Sequence, residues 1–133
     1  MIGYSARKDE AEGIHDRLKI KTTIFGNYSS KLVLISCDLL GLDFEYVREV
    51  RNYIEEEEGI SAENIIIACT HTHSGPSSMT VHNSSHSREW LKVLKEDITH
   101  SVKIALGNMQ PSLVDFKQDE ISLSQNTEPD LEN

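Results

Sequence analysis

Two histidines separated by a single residue, His71 and His73, come directly after the apolar run IIIAC and one threonine. Side chains two positions apart on a strand point to the same side, so the pair is predicted to leave the end of a strand side by side. Imidazole nitrogens are common zinc ligands, and a catalytic zinc takes about three protein ligands and a water. The pair could supply two ligands, or one ligand and one hydrogen-bonding neighbour. A surface or hydrogen-bonded pair that holds no metal is the alternative interpretation of this spacing.

The strands that must position the pair follow from the apolar periodicity. Residues 17–26 alternate apolar and polar side chains, which predicts a half-buried strand. Residues 31–37 form a continuous apolar run, typical of an interior strand covered on both faces, and the short turn between the two segments predicts a hairpin. Residues 64–70 are predicted to be another interior strand.

Two helices are predicted between and after these strands. The first begins after Asp43, which is suited to capping a helix, and ends at Gly59. The second covers residues 88–106, and a last strand is predicted near residues 113–117. The order strand, helix, strand is that of a right-handed crossover, which puts the histidines at the carboxyl end of a parallel strand, where α/β sheets bind ligands. The predicted fold is therefore α/β, with a mixed, mostly parallel sheet flanked by helices.

Composition limits the classes of function. The chain has 133 residues, enough for one domain with a core, and its formal charge of -9 argues against nucleic-acid binding because a phosphate backbone would repel it. No apolar stretch approaches the roughly 20 residues that span a membrane, and the start lacks a signal-peptide core. The sequence thus predicts a cytoplasmic chain without a membrane span. The two cysteines, Cys37 and Cys69, suit small reduced residues of the core.

Four further residues could assist the pair. Asp38 follows the strand that ends at residue 37, and it could fix an imidazole tautomer or act only as a hydrogen-bonded turn residue. Ser74 and Gly75 follow the histidines, and the glycine with the proline after it is expected to set a tight turn, with exposed backbone donors as an additional role. His15 lies near the start, where a lone histidine is more often structural.

Four segments, in order along the chain, resemble one known family: GIHD at residues 13–16, LISCDLLGL at 34–42, NIIIACTHTHSGP at 64–76 and GNMQP at 107–111. The third resembles the signature of the neutral/alkaline non-lysosomal ceramidases, zinc amidases that cleave the N-acyl bond of ceramide to give sphingosine and a fatty acid. The resemblance covers nearly the whole chain but only the beginning of the family's longer catalytic domain. It implies that residues 1–124 form a truncated ceramidase-like N-terminal domain; the polar, acidic residues 125–133 are predicted to be a disordered tail.

The resemblance also implies roles for individual residues. His71 corresponds to a metal ligand, and His73 to a second active-site histidine that orients the substrate or a water. His15 corresponds to a residue that lines the pocket entrance. One zinc ion is implied, and the family's other ligands, a histidine, a glutamate and a tyrosine, come from sequence beyond the equivalent of Asn133. Zinc binding by this chain alone is therefore expected to be weak.

Three hypotheses about function remain open at this stage. The chain could act on a ceramide-like lipid after a second polypeptide, or a second copy of itself, completes the site. It could be a noncatalytic binding module that keeps the fold without the chemistry. It could also be a truncated remnant of a longer ceramidase-like protein.

Overall fold

The computed structural model describes residues 12–80 and 88–121. In chain order the elements are β1 (Ile20–Gly26), β2 (Lys31–Cys37), α1 (Phe44–Glu58), a single 3-10 turn (Ala62–Asn64), β3 (Ile65–Cys69) and α2 (Arg88–Gly107). The acidic tail predicted at residues 125–133 lies outside the described residues. Within the described ranges, none of the helices has the length and apolar character needed to cross a membrane.

The three strands form one sheet in the order β1-β2-β3. β1 and β2 pair antiparallel as a hairpin, with Ile20 opposite Cys37, and β3 pairs parallel with β2, with Val33 opposite Ile65. The predicted hairpin, crossover and α/β class are confirmed. The expectation of a mostly parallel sheet is wrong, because the antiparallel ladder joins seven residue pairs and the parallel ladder five. The described residues contain one crossover, which gives β2 one parallel neighbour, β3. The hairpin gives β2 its other neighbour, the antiparallel β1.

Both helices pack against the same face of the sheet. The buried apolar side chains that form the core are Val33, Ile35, Cys37, Leu39, Val50, Ile54, Ile60, Ile65, Leu94, Ile98 and Val102. On the opposite face, Phe25 is 41% exposed, Leu32 is 41% exposed and Ile66 is 52% exposed. We call these three residues the open sheet face. The prediction that the run at residues 31–37 is covered on both faces is therefore wrong for the described part of the chain, because a continuous apolar run shows which side chains avoid water but not what covers them.

The first helix has the predicted limits. α1 ends at Gly59, whose φ of 67° is left-handed and whose N–H donates to the Glu55 carbonyl at 3.0 Å. A left-handed residue at this position closes a helix with least strain when it is glycine. At the other end, Asp43 has the extended backbone of a cap, but its carboxylate makes no hydrogen bond to the first turn of α1. The carboxylate instead accepts hydrogen bonds from Thr80, in the loop after β3.

The second helix is confirmed as α2, but the last predicted strand is wrong. Residues 109–121 are irregular, with Leu113 at 104% and Phe116 at 83% exposure. Alternating apolar residues indicate which side chains would share a face of a strand. They do not show whether a neighbouring strand is there to form the hydrogen bonds that a strand needs. In the part of the chain that the structure describes, this segment joins no ladder.

Candidate functional site

The histidine pair lies just beyond the end of β3. The strand stops at Cys69, after which the Thr70 N–H donates to the Cys37 carbonyl and the His71 N–H donates to the Leu39 carbonyl, each at 3.0 Å. His71 has a φ of 62°, so the chain turns here. The strand geometry from which the orientation of the two histidines was predicted therefore does not extend to them. Among the described residues, His71 is the one non-glycine with positive φ. Such backbone strain costs on the order of 1–3 kcal/mol and is concentrated at functional sites.

The two imidazole rings nevertheless lie together. The ring centroids of His71 and His73 are 5.1 Å apart with an interplanar angle of 62°, an edge-to-face arrangement. The His71 ring belongs to an exposed residue, whereas His73 is half-buried and its Nδ1 is fully buried. The pair therefore consists of an exposed histidine and a half-buried histidine whose rings meet edge to face.

The tautomer of His71 is determined by its neighbour. Nδ1 of His71 lies 2.9 Å from the Leu40 carbonyl oxygen. A carbonyl can only accept, so Nδ1 must carry the proton and donate it, which leaves the lone pair on Nε2. Histidines that bind metals characteristically donate their other ring N–H to a carbonyl or carboxylate in this way. The chemistry of the residues present therefore fits a zinc ligand at His71.

Asp38, directly after β2, forms hydrogen bonds with two segments beside the histidine pair. Its N–H donates to the Lys19 carbonyl at 2.9 Å, and its Oδ2 accepts from the Lys19 N–H at 3.0 Å. Its Oδ1 lies 3.4 Å from the Thr70 hydroxyl, which donates to it. The described bonds of this carboxylate thus fasten the segment before β1 and the residue before His71, while the acceptor for the His71 ring is the Leu40 carbonyl.

The residues after the pair form a compact turn. The Ser74 N–H donates to the Thr72 hydroxyl at 3.2 Å. Gly75 is buried, and a Cβ there would lie 3.4 Å from Leu18 Cδ1 and 3.8 Å from the Asp38 carbonyl oxygen. The turn therefore folds back toward the end of β2.

His15 has a different environment. Its side chain is 96% exposed, and its Nδ1 is 2.8 Å from a carboxylate oxygen of the adjacent Asp16. The described contacts of His15 are with this neighbour and not with the histidine pair.

The thiols beside the site are protonated at neutral pH. Burial raises the pKa of Cys37 from 9.0 to about 12, with smaller contributions from Cys69 and Asp38, and burial also raises the pKa of Cys69. Both cysteines are free, and metals bind the thiolate. The environment therefore supports the predicted role of the cysteines as reduced core residues.

A sequence profile described as neutral/alkaline non-lysosomal ceramidase, N-terminal, matches residues 1–127. The chain belongs to this ceramidase family. A neutral ceramidase from Pseudomonas aeruginosa is 26% identical to it over 132 residues, an alignment that covers 91% of the chain and 20% of that protein. This ceramidase-family chain therefore spans about a fifth of the length of that curated relative. No solved structure matches the chain.

In the described part of the ceramidase-family chain, neither a cluster of metal-binding side chains nor a groove marks the histidine pair. Within residues 12–80 and 88–121, no group of three or more His, Cys, Asp or Glu side chains is arranged to hold a metal ion. A surface groove of about 570 Å³ lies between β1 and α2, and a second of about 540 Å³ lies on α1 and α2, and neither is lined by His71 or His73.

Sequence reasoning missed several residues that shape the candidate site. The Leu40 carbonyl is one, because every residue has a carbonyl and nothing in the sequence marks this one. Asp43 is another: its carboxylate accepts from the Thr80 N–H at 3.2 and 3.3 Å and from the Thr80 hydroxyl at 3.2 Å. Ser78 is the third, since its Oγ donates to the Gly41 carbonyl at 2.7 Å. Asp43 was detectable only as a capping residue, and Ser78 only as one member of a polar loop.

Proposed function

We propose that this chain supplies the His71–His73 part of a zinc-dependent amidase site that hydrolyses the N-acyl bond of ceramide-like lipids. The observation that carries the proposal is the contact of His71 Nδ1 with the Leu40 carbonyl at 2.9 Å, because it leaves the Nε2 lone pair for a metal. Membership of the ceramidase family supports the reaction and the class of substrate.

Each residue has a proposed part in this reaction. The chemistry that a bound zinc ion supplies is polarisation of the amide carbonyl and acidification of a water. His71 is proposed to hold the ion through Nε2, with the Leu40 carbonyl preventing rotation of the ring. His73, with its ring centroid 5.1 Å away, is proposed to orient the substrate or the water by a hydrogen bond. Ser74 and Gly75 are proposed to shape the pocket beside the pair, and His15, 96% exposed, to lie at its entrance.

The remaining ligands are proposed to come from outside the described residues. A catalytic zinc needs about three protein ligands, and His71 and His73 supply at most two. The chain spans about a fifth of the Pseudomonas aeruginosa relative, which leaves room for further ligands in later family sequence. That sequence could belong to the same longer chain or to a second polypeptide, and a second copy of this chain is the other source. The proposal predicts weak metal binding by this chain alone.

A zinc titration by calorimetry tests the proposal. We expect the folded chain to bind zinc weakly and His71→Ala to abolish the binding, because Nε2 of His71 is the proposed primary ligand. His73→Ala should weaken binding less. His100→Ala is the matched control, because His100 is an exposed histidine on α2, and this variant should bind zinc like the unmodified chain.

Two results would contradict this assignment. Zinc binding that survives His71→Ala would remove His71 as the ligand. A folded chain that binds no zinc at all would favour the noncatalytic module instead. Where binding is found, hydrolysis of a fluorescent N-acylsphingosine by the chain, with and without candidate partner polypeptides, is the next measurement.

A further inference from the structure

The loop that carries the histidines is fastened to the turn that holds the His71 ring. We call residues 70–80 the histidine loop and residues 38–43 the carbonyl turn, because Leu39 and Leu40 in that turn supply the carbonyls that accept from the His71 N–H and from His71 Nδ1. The orientation of the His71 ring therefore depends on how the loop sits on the turn. Three further contacts, all distant in sequence, determine that placement.

The first contact is made by Ser78. Ser78 is 1% exposed, and its Oγ donates to the Gly41 carbonyl at 2.7 Å. Gly41 directly follows Leu40, so the bond acts one residue from the carbonyl that holds the ring. A buried hydroxyl with a single close acceptor defines position well, because losing it would leave that carbonyl without this donor in a place that water does not easily reach.

The second contact is made by Asp43. An aspartate at the start of a helix normally accepts from the first-turn N–H groups, but this carboxylate accepts instead from the N–H and hydroxyl of Thr80. Asp43 thus binds the last residue of the histidine loop, and the first turn of α1 has no side-chain cap from it. The Asp43 carboxylate therefore stabilises the position of the loop and not the first turn of α1.

The third contact is steric. A Cβ at Gly41 would lie 2.6 Å from the sulfur of Met79, so the Met79 side chain packs against the turn where any other residue at position 41 would carry its Cβ. A larger residue there would displace the flexible Met79 side chain, so this contact places the loop less firmly than the two hydrogen bonds do.

We propose that Ser78 and Asp43 are positioning residues, which hold the His71 ring on the Leu40 carbonyl and thereby keep its proton on Nδ1 and its lone pair on Nε2. The significance for metal binding rests on the proposed function, but the effect on the tautomer does not. Removing either residue loosens the loop, lets the ring leave the carbonyl and allows the proton to move to Nε2.

The experiment measures the tautomer of His71 by long-range ¹H–¹⁵N correlation at about pH 8.5, where imidazoles are neutral. We expect the Nδ1–H form in the unmodified chain and a shift to a mixture containing Nε2–H in Ser78→Ala. Asp43→Ser should act likewise, because serine can still cap α1 but is too short to reach Thr80. Ser78→Thr, which keeps the hydroxyl, should restore the Nδ1–H form.

The matched control is Thr99→Val. Thr99 is the other buried polar side chain of the described residues, and its hydroxyl donates to the Lys95 carbonyl at 3.0 Å within α2, away from the site. A residue that only stabilises the fold would lower the unfolding midpoint without changing the tautomer, as we expect for Thr99→Val. If Ser78→Ala fails to fold, Asp43→Ser decides the question, because Asp43 is only partly buried.

Zinc titration of the same variants separates this inference from the proposed function. Loss of a group that orients a metal ligand lowers affinity by about 10–100-fold, and we expect a fall in that range for Ser78→Ala. A changed tautomer in a chain that binds no zinc would support the positioning role and contradict the metal site. An unchanged Nδ1–H form in folded Ser78→Ala and Asp43→Ser would overturn the positioning role whatever the zinc result.

Discussion

His71 has a backbone conformation that only glycine adopts without strain. Its φ of 62° brings Cβ close to the following carbonyl, which costs roughly 1–2 kcal/mol for a residue with a side chain. The backbone of His71 therefore opposes stability, and the ring contact with Leu40 acts against that cost. Strain of this kind persists where the surrounding contacts hold the residue in place, and here those contacts come from Leu39 and Leu40.

This strain leads to a prediction about two substitutions at one position. His71→Gly and His71→Ala both lose the imidazole, so their difference isolates the backbone, and we expect the glycine variant to have a free energy of unfolding higher by about 1 kcal/mol. The opposite order is expected at His100, on α2, where glycine should be less stable than alanine by about 1 kcal/mol. Urea unfolding of the four variants measures both differences. Equal stabilities at position 71 would show that the backbone there is relaxed.

The helix ends give a prediction at the level of elements. Gly59 follows α1 with a φ of 67°, and a Cβ there would touch nothing within 4 Å, so Gly59→Ala should cost about 1 kcal/mol from backbone strain alone. Gly107, the last residue of α2, is equally open but lacks the positive φ, so Gly107→Ala should stabilise by about 0.5–1 kcal/mol. Thermal unfolding followed by circular dichroism compares the two. A Gly59→Ala variant as stable as the parent chain would contradict the left-handed ending of α1.

The elements that sequence reasoning placed correctly share a local signal. β2 is a run of apolar residues and α1 has a helical apolar stripe closed by Gly59, and both patterns are complete within the element itself. The failure at residues 113–117 has the opposite origin, because a strand also depends on a partner that the periodicity does not name. The same reason explains why α/β could be predicted but the balance of parallel and antiparallel pairing could not.

The candidate site divides in the same way. The histidine pair was identifiable from residue types and spacing, but its geometry was not, because the turn at His71 depends on bonds to the distant Leu39 and Leu40 carbonyls. Asp43 was interpreted as a helix cap because its position in the sequence is that of a cap. Its bond to Thr80 spans 37 residues, and contacts across that distance leave no periodic trace.

Within the described residues, the sheet is covered by helices on one side only. The helices bury one face, and the open sheet face, formed by Phe25, Leu32 and Ile66, is solvent-accessible in the described structure. The chain also spans about a fifth of its Pseudomonas aeruginosa relative. Additional polypeptide could cover this apolar face and, under the proposed function, could also supply the remaining zinc ligands. In isolation, that face should favour weak self-association.

Neighbouring residues on β3 allow this expectation to be tested. Ile66 is 52% exposed and points away from the helices, so Ile66→Thr should change the free energy of unfolding by less than about 0.5 kcal/mol while reducing association. Ile65 is 2% exposed in the core, so Ile65→Thr should cost about 2 kcal/mol or more, because it removes buried carbon and buries a hydroxyl.

The net charge of the chain allows self-association through the open sheet face to be tested by varying the salt concentration as well. The net charge of -9 repels copies of the chain from one another, and raising the salt from about 0.01 M to about 0.3 M shortens the Debye length several-fold. Sedimentation velocity should therefore show association that grows with protein concentration and with salt, and that Ile66→Thr weakens at every salt concentration. Association that falls as salt is added would point to ionic contacts instead. If Ile66→Thr had no effect on it, the contact would lie away from the open sheet face.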